Sequence, residues 1–554
     1  MSIASEVDVV PSDGSSLAGR PQAVIDQVRS YESYIAGRDV AGEGWVYTLT
    51  ARSLLEDVFT SVNVKRTLEQ NPESPESLHP YVVGRCGVAT LADVDAAVDA
   101  AVSAKAGWAA TPLSTRMRLG PMFRAKLREH REELLSLLMA EAHPRMLAEW
   151  ELSCLEQVYS DESCDWYRQQ MATEFDHADR RLIVRRCPDG VVCINPPQNA
   201  PAPSAALAVL ILMAGNTVVV RAPRSIALST MYVLKELVAP LLEELGAPPG
   251  TLNVICGKPQ QTLNRWLEHP GVDDILYFGG SEEGLRFEQE CVARGKKPIL
   301  ELAGNDGLVV WRDADLKLAA EAIAECFYGS GQICMVPNYV LAHPAIAEEL
   351  IGLVREEVGN VRPGYPEERG VLLSPVRRSE KFFRLLDQAM RNGAELVCGG
   401  RRTELDGTPS DTGVFLEPTV VRVDGLRDAR RFDIVRHETF FPLIPLVVAE
   451  PAADELLLDR FVDFLNDNSY GLRNSLWATS SEVVDRFVTR INNGGLLKVN
   501  DSHIGFLPYL PSHGGTGLTG GAFGEANYPI LKTSHLQGVS ISRGIRPRTA
   551  VFGD

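Results

Sequence analysis

Cys334 lies in GSGQICMVP, residues 329–337, between glycines, a glutamine and a proline. A cysteine there is either a small apolar filler or a nucleophile. Free cysteine is among the most buried residue types, and its thiolate is a strong nucleophile. Glu301 stands upstream, after the apolar pair Ile299-Leu300 and before Leu-Ala-Gly304. A carboxylate at a strand end followed by small residues is either a solvated turn residue or a base that the backbone brings close to a ligand. Asn199 in Asn195-Pro-Pro-Gln-Asn-Ala-Pro201, Arg224 in Ala-Pro-Arg224, and Gly279-Gly-Ser281 hold equivalent places after other strand-like runs. Each is weak alone, and together they ask for a scaffold that gathers strand ends.

The middle of the chain has the pattern of such a scaffold. Val191–Asn195, TVVVR (217–221), LNVIC (252–256), Ile275–Phe278 and Ile299–Leu302 read as strands. Helices are expected between them at Ser204–Met213, Met231–Leu245, Gln261–Glu268 and Glu283–Arg294. Alternation at this spacing predicts a parallel sheet covered on both faces, with ligands at the carboxyl ends of its strands. No GxGxxG opens a helix, so the usual dinucleotide fingerprint is absent. A second alternating region is expected from Leu316 to Ile491. Upstream, LADVDAAVDAAVSAK (91–105) is a helix starting at Thr90 or Asp93, and long helices are expected over Arg116–His143 and Ala148–Met171. Residues 1–18 read as a disordered tail, Asn71–Pro80 as a Pro/Ser-rich loop, and Ser534–Ser542 as a late strand.

The chain has 554 residues, enough for roughly three or four structural units. Its net charge of −18 argues against nucleic acid or an anionic membrane surface as the main partner. The longest apolar run, Ala205–Ala214, is too short to span a bilayer. Ten cysteines without a CxxC pair give no zinc-ribbon pattern, and no metal is expected. The acidic, polar start carries no secretory signal, so reduced thiols and a cytoplasmic setting are expected.

From about Tyr34 to Ser542 the sequence resembles the aldehyde dehydrogenase superfamily. The resemblance rests on ELAGNDGLVVWRDADLKLAAEAIAECFYGSGQIC (301–334), with PPQNAP (196–201), AGNTVVVRAP (214–223), FGGS (278–281), HETFFP (437–442) and AGWAATPLSTRMRL (106–119) in family order. It implies two parallel-sheet α/β domains, one for cofactor binding and one catalytic, plus a small β oligomerisation arm. In these terms 1–20 is a tail and 21–171 the helical part of the cofactor-binding domain. Residues 172–190 form the hairpin arm and 191–302 the cofactor-binding α/β unit. Residues 303–500 form the catalytic domain, and 501–554 the C-terminal return with the oligomerisation strand.

The same resemblance implies roles. Cys334 matches the nucleophile that forms a thiohemiacetal and then, after hydride leaves to a nicotinamide, a thioester. Asn199 and the Cys334 backbone N–H match the oxyanion hole, and Glu301 the base that activates water. Glu438 and Phe440 match the pair at the nicotinamide ribose and ring, Arg221 the residue at the adenosine ribose, and Gly280 and Ser281 the approach to the pyrophosphate. Ile333 and Met335 are expected as apolar walls beside the reacting carbon. Gln198 and Ala200 replace the family's aromatic pair around the asparagine. Small Ala200 widens the substrate mouth, so a bulky or long aldehyde is expected. Arg224 stands near the adenosine ribose where the family has an acidic residue, which favours NADP over NAD. A homodimer or homotetramer is expected. Two other readings stay open: a CoA-acylating or acyl-thioester-reducing enzyme, against which Glu301 argues, and a catalytically silent scaffold, against which Cys334, Asn199, Glu301 and Glu438 argue.

Overall fold

The structure is a computed structural model that describes residues 28–71, 81–511, 513–522, 528–544 and 546–552. The expected N-terminal tail and most of the Asn71–Pro80 loop lie outside the described residues.

Two seven-stranded sheets form the body. The first runs in the order Lys297–Glu301, Asp274–Phe278, Val191–Asn195, Thr217–Ala222, Leu252–Cys256, then the hairpin Ser33–Ile35 and Arg38–Val40. The five strands from the middle of the chain are parallel, as their near-continuous apolar runs require for a sheet buried on both faces. The hairpin adds an antiparallel edge, and its turn at Ala36 and Gly37 is left-handed at φ 52° and 80°. The second sheet runs Glu395–Cys398, Thr419–Asp424, Leu443–Val448, Pro337–Ala342, Asp306–Val310, Arg473–Trp477, Leu496–Val499. All but its first strand are parallel to their neighbours. The chain passes from the edge strand of the first sheet to the interior of the second through Leu302–Asn305 alone. That crossing sets the carboxyl ends of one sheet against the amino ends of the other.

Helix Leu91–Ala110 starts as expected, with Thr90 and Asp93 forming a reciprocal capping box, and buries Val94, Ala97, Val98, Ala101 and Trp108. Helix Pro201–Ala214 is buried along nearly its whole length and stops at Gly215, φ 106°. The two long helices expected upstream are broken. Arg116–His143 divides into Leu113–Met117, Leu119–Glu129 and Arg131–Ala140. Ala148–Met171 divides into Arg145–Val158 and Asp161–Met171, where Ser160 caps the second piece by accepting from the Ser163 N–H. Hydrophobic spacing continues across both breaks, so periodicity alone does not reveal them.

The segment after Leu54 is partly helical. Helix Val58–Gln70 lays Leu68 against Tyr47, Leu49 and Val82 of a small sheet made by Arg29–Tyr31, Val82–Gly87 and Trp45–Leu49. A separate antiparallel sheet joins Ala172–His177, Arg180–Pro188 and Ser534–Ser542, with Arg180–Pro188 in the middle and paired to the last from Ser534↔Pro188 to Ser542↔Arg180. No helix among the described residues is long and apolar enough to cross a membrane.

Candidate active site

The Cys334 segment is built by unusual backbone. Gly329, Ser330 and Gly331 are consecutive left-handed residues at φ 59°, 58° and 68°. Glycine takes that conformation freely, and serine only when held. Here the Ser330 hydroxyl donates to the Ser374 carbonyl at 2.5 Å. A Cβ on Gly331 would lie 2.2 Å from the Phe441 carbonyl oxygen, and one on Gly304 would lie 2.0 Å from the Cys334 carbonyl oxygen. Three segments, 301–305, 331–334 and 438–442, therefore meet through bare backbone. Gly304→Ala must push the Cys334 backbone aside. We expect a loss of about 1–3 kcal/mol of stability and a marked fall in turnover. Thermal unfolding and steady-state rates measured together would check it, and a variant unchanged in both would show that the contact is dispensable.

The meeting brings the expected chemistry together. Cys334 is half-buried. Its Sγ lies 3.9 Å from Glu301 Oε1, within reach of a weak S–H···O contact. Glu301 is 2% exposed, and its other oxygen accepts from the Gly514 N–H at 2.5 Å. Burial pushes the Cys334 thiol well above its ordinary range, and the carboxyl groups of Glu301, Glu438 and Asp306 add to the shift while Arg473 opposes it. The resting sulfur therefore favours its protonated form. Asn199 Nδ2 donates to the Gln332 carbonyl at 2.9 Å, which fixes the amide beside the backbone leading into Cys334. The Asn199 carbonyl accepts from His143 Nε2 at 3.0 Å, and Glu151 Oε1 lies 3.6 Å from the same nitrogen. Burial raises the Glu151 carboxyl to about 8 and lowers the His143 imidazole. Glu438 Oε1 accepts from the Gly304 N–H at 3.0 Å, and burial raises this carboxyl to about 8 as well.

The remaining expected residues spread outward from this centre. Met335 is buried with Val336, Leu472 and Ile504, in the cluster that Cys334 and Ile333 also join. Gln198 is exposed and Ala200 half-buried. Phe440 is half-buried with φ 61°. Arg221 is 5% exposed, and its guanidinium donates to Asn195 Oδ1 at 2.6 Å, Pro196 O at 3.5 Å and Ala222 O at 3.4 Å. It ties two strand ends together. Arg224 Nε is buried and has no partner. Gly280 is exposed, with nothing within 4 Å of where a Cβ would sit, and precedes helix Ser281–Ala293. A bare helix N-terminus and an unpaired guanidinium donor at the carboxyl ends of two strands of the same sheet fit an anionic, phosphate-bearing cofactor. No group of three or more metal-ligating side chains occurs among the described residues.

Sequence reasoning missed Gly514, His143, Glu151 and Arg473. Each reaches the site only through tertiary packing.

The sequence profile of the aldehyde dehydrogenase family matches residues 68–533. The chain belongs to the aldehyde dehydrogenase family. It is an oxidoreductase that acts on aldehydes. This aldehyde dehydrogenase is 31% identical over 471 residues to aminoaldehyde dehydrogenase 2, peroxisomal, of Pisum sativum, covering 81% of this chain and 89% of that one. It is 28% identical over 464 residues to a benzaldehyde dehydrogenase of Bacillus subtilis, covering 81% and 90%. Its fold matches the crystal structure of an NAD-dependent aldehyde dehydrogenase from Sinorhizobium meliloti with a TM-score of 0.77 at 23% identity, over 94% of this chain and 96% of that one.

Proposed function

We propose that this aldehyde dehydrogenase oxidises a bulky or long aldehyde to a carboxylic acid, with NADP preferred over NAD. The observation that carries the reading is the 3.9 Å approach of Cys334 Sγ to Glu301 Oε1 beside the fixed amide of Asn199. The Cys334 thiol loses its proton to solvent, and its sulfur adds to the aldehyde carbon. Asn199 Nδ2, whose other N–H is not used by Gln332, and the Cys334 backbone N–H donate to the developing alkoxide. Such a donor contributes roughly 3–4 kcal/mol. A bound nicotinamide dinucleotide would supply the hydride acceptor. Gly280, Ser281, Arg221 and Arg224 would hold it at the first sheet, and Glu438 and Phe440 at the second. Glu301 then takes a proton from the water that attacks the thioester, and the Cys334 thiolate leaves.

Small, half-buried Ala200 and exposed Gln198 support a wide mouth. The relatives named for aminoaldehydes and benzaldehyde set the range of a test panel. Turnover of that panel with NAD and NADP separately, with and without CoA, tests the reading. CoA-dependent product would favour the acyl-transfer alternative. The NADP preference rests on Arg224, whose buried Nε lacks a partner. Arg224→Glu should lower the ratio of kcat/KM for NADP over NAD by about tenfold or more. An unchanged ratio would remove Arg224 from cofactor choice.

The same reading includes a homo-oligomer. The sheet of Ala172–His177, Arg180–Pro188 and Ser534–Ser542 leaves Phe175, Val184, Leu536 and Ile541 exposed, at 53%, 43%, 64% and 47%. Apolar side chains on a thin sheet that is open on both sides favour a second copy as the covering partner. A Leu536→Asp, Ile541→Asp double variant should have a smaller mass by light scattering than the parent, and equal masses would sink this assignment. A cytoplasmic setting is supported by ten free cysteines.

A further inference from the structure

Cys334, Asp306 and Arg473 converge at the amino ends of three neighbouring strands. Asp306 opens its strand opposite Pro337, just past Cys334, and on its other side Gly307 lies opposite Asn474. Asp306 is 0% exposed and Arg473 2%. The Arg473 backbone N–H donates to Asp306 Oδ1 at 3.2 Å, and its Nη1 donates to the His503 carbonyl at 2.8 Å. The guanidinium also lies 5.3 Å from the centre of the Phe506 ring. Phe506 and the adjacent Leu472 belong to the same apolar cluster as Cys334. The cation is thus held on the site side of the sheet, inside the protein.

The charges around the thiol are otherwise unfavourable. Glu301, Glu438 and Asp306 all disfavour a thiolate, and Arg473 opposes them. Arg473 in turn faces Asp306, Cys334, Cys154 and Glu301. Two imidazoles near it cannot help. Burial, together with Arg473, lowers His503 and His513 to about 3, so both are neutral. Lys498 acts on Cys154 and His503 and is paired with Asp501 at 2.7 Å. An arginine keeps its charge when buried, which a lysine or histidine does less well.

We propose that Arg473 is the built-in counter-cation of the Cys334 thiolate, and that Asp306 tempers its field. Arg473 is a positioning residue, acting on the substrate only through the sulfur. The proposal rests on Cys334 being the nucleophile, so its test avoids turnover. The measurement is the rate of Cys334 alkylation by iodoacetamide against pH, followed on the Cys334 peptide by mass spectrometry, without aldehyde or cofactor. A cation favours the ionised sulfur and a carboxylate disfavours it. Arg473→Gln should therefore move the midpoint up by about one pH unit or more, with about tenfold slower alkylation below it. Arg473→Lys should fall between the parent and Arg473→Gln, and Asp306→Asn should move the midpoint down. A general loosening of the site would shift both neutralising variants the same way. A folded Arg473→Gln with the parent midpoint, or an Asp306→Asn midpoint that is unchanged or raised, would overturn the proposal. If Arg473→Gln does not fold, Asp306→Asn decides by the same criterion. A Cys334→Ala variant that still turned over aldehyde would sink the nucleophile instead, whatever the alkylation profiles show.

Discussion

Cys334→Ala is expected to abolish aldehyde-dependent NAD(P)H formation, by roughly 10⁴-fold or more, while leaving a folded protein. The reason is chemical. Alanine leaves no atom to hold the carbonyl carbon, and neither Glu301 nor Asn199 can take the place of the sulfur. The fold should survive because the thiol is half-buried and its polar contact, to Glu301, is long. The backbone that shapes the segment is set elsewhere, by the left-handed turn at 329–331 and by Gly304 against the Cys334 carbonyl. Initial rates at saturating aldehyde, with thermal unfolding as control, check this. Substantial retained activity in the variant would end the covalent mechanism.

Glu301→Gln is expected to separate the two halves of the reaction. Glutamine keeps the size of the side chain and an oxygen for the Gly514 N–H. It cannot take a proton from water, so the thioester should accumulate. A rapid first turnover would be followed by a steady state slower by about 10²–10⁴-fold. Quenched samples should carry the acyl group on the Cys334 peptide. A variant that shows no burst, with both phases slowed equally, would place the role of Glu301 in the attack of the sulfur rather than in deacylation.

Much of the first sheet was legible because parallel strands buried on both faces must be continuous apolar runs. Val191–Asn195 and Leu252–Cys256 appear at the expected bounds, and Glu301 ends its strand as expected. Cys334 and Glu301 could be paired only through the family resemblance, since nothing local joins residues that far apart. The broken helices were illegible because Ser160 looks like any polar surface residue until it caps a helix. The N-terminal strands were missed because runs of three to five residues with mixed burial carry too little alternation. Arg473 and Asp306 look like ordinary charged residues in the sequence. Their burial at adjacent strand ends is a product of sheet order, which no short window contains.

The last part of the chain closes the first sheet's edge. Gly514 donates to Glu301, Leu302 donates to the Thr519 carbonyl, and Thr519 Oγ1 donates to Ala303. Asn216, at the end of the first sheet's central helix, donates to Thr533. Translation proceeds from the amino end, so the ribosome makes Cys334 and Glu301 well before the residues that fix them. A nascent chain carries the reactive sulfur but not its finished surroundings. A chain stopped before Gly514 would carry Cys334 and Glu301 but lack the N–H that holds the Glu301 side chain.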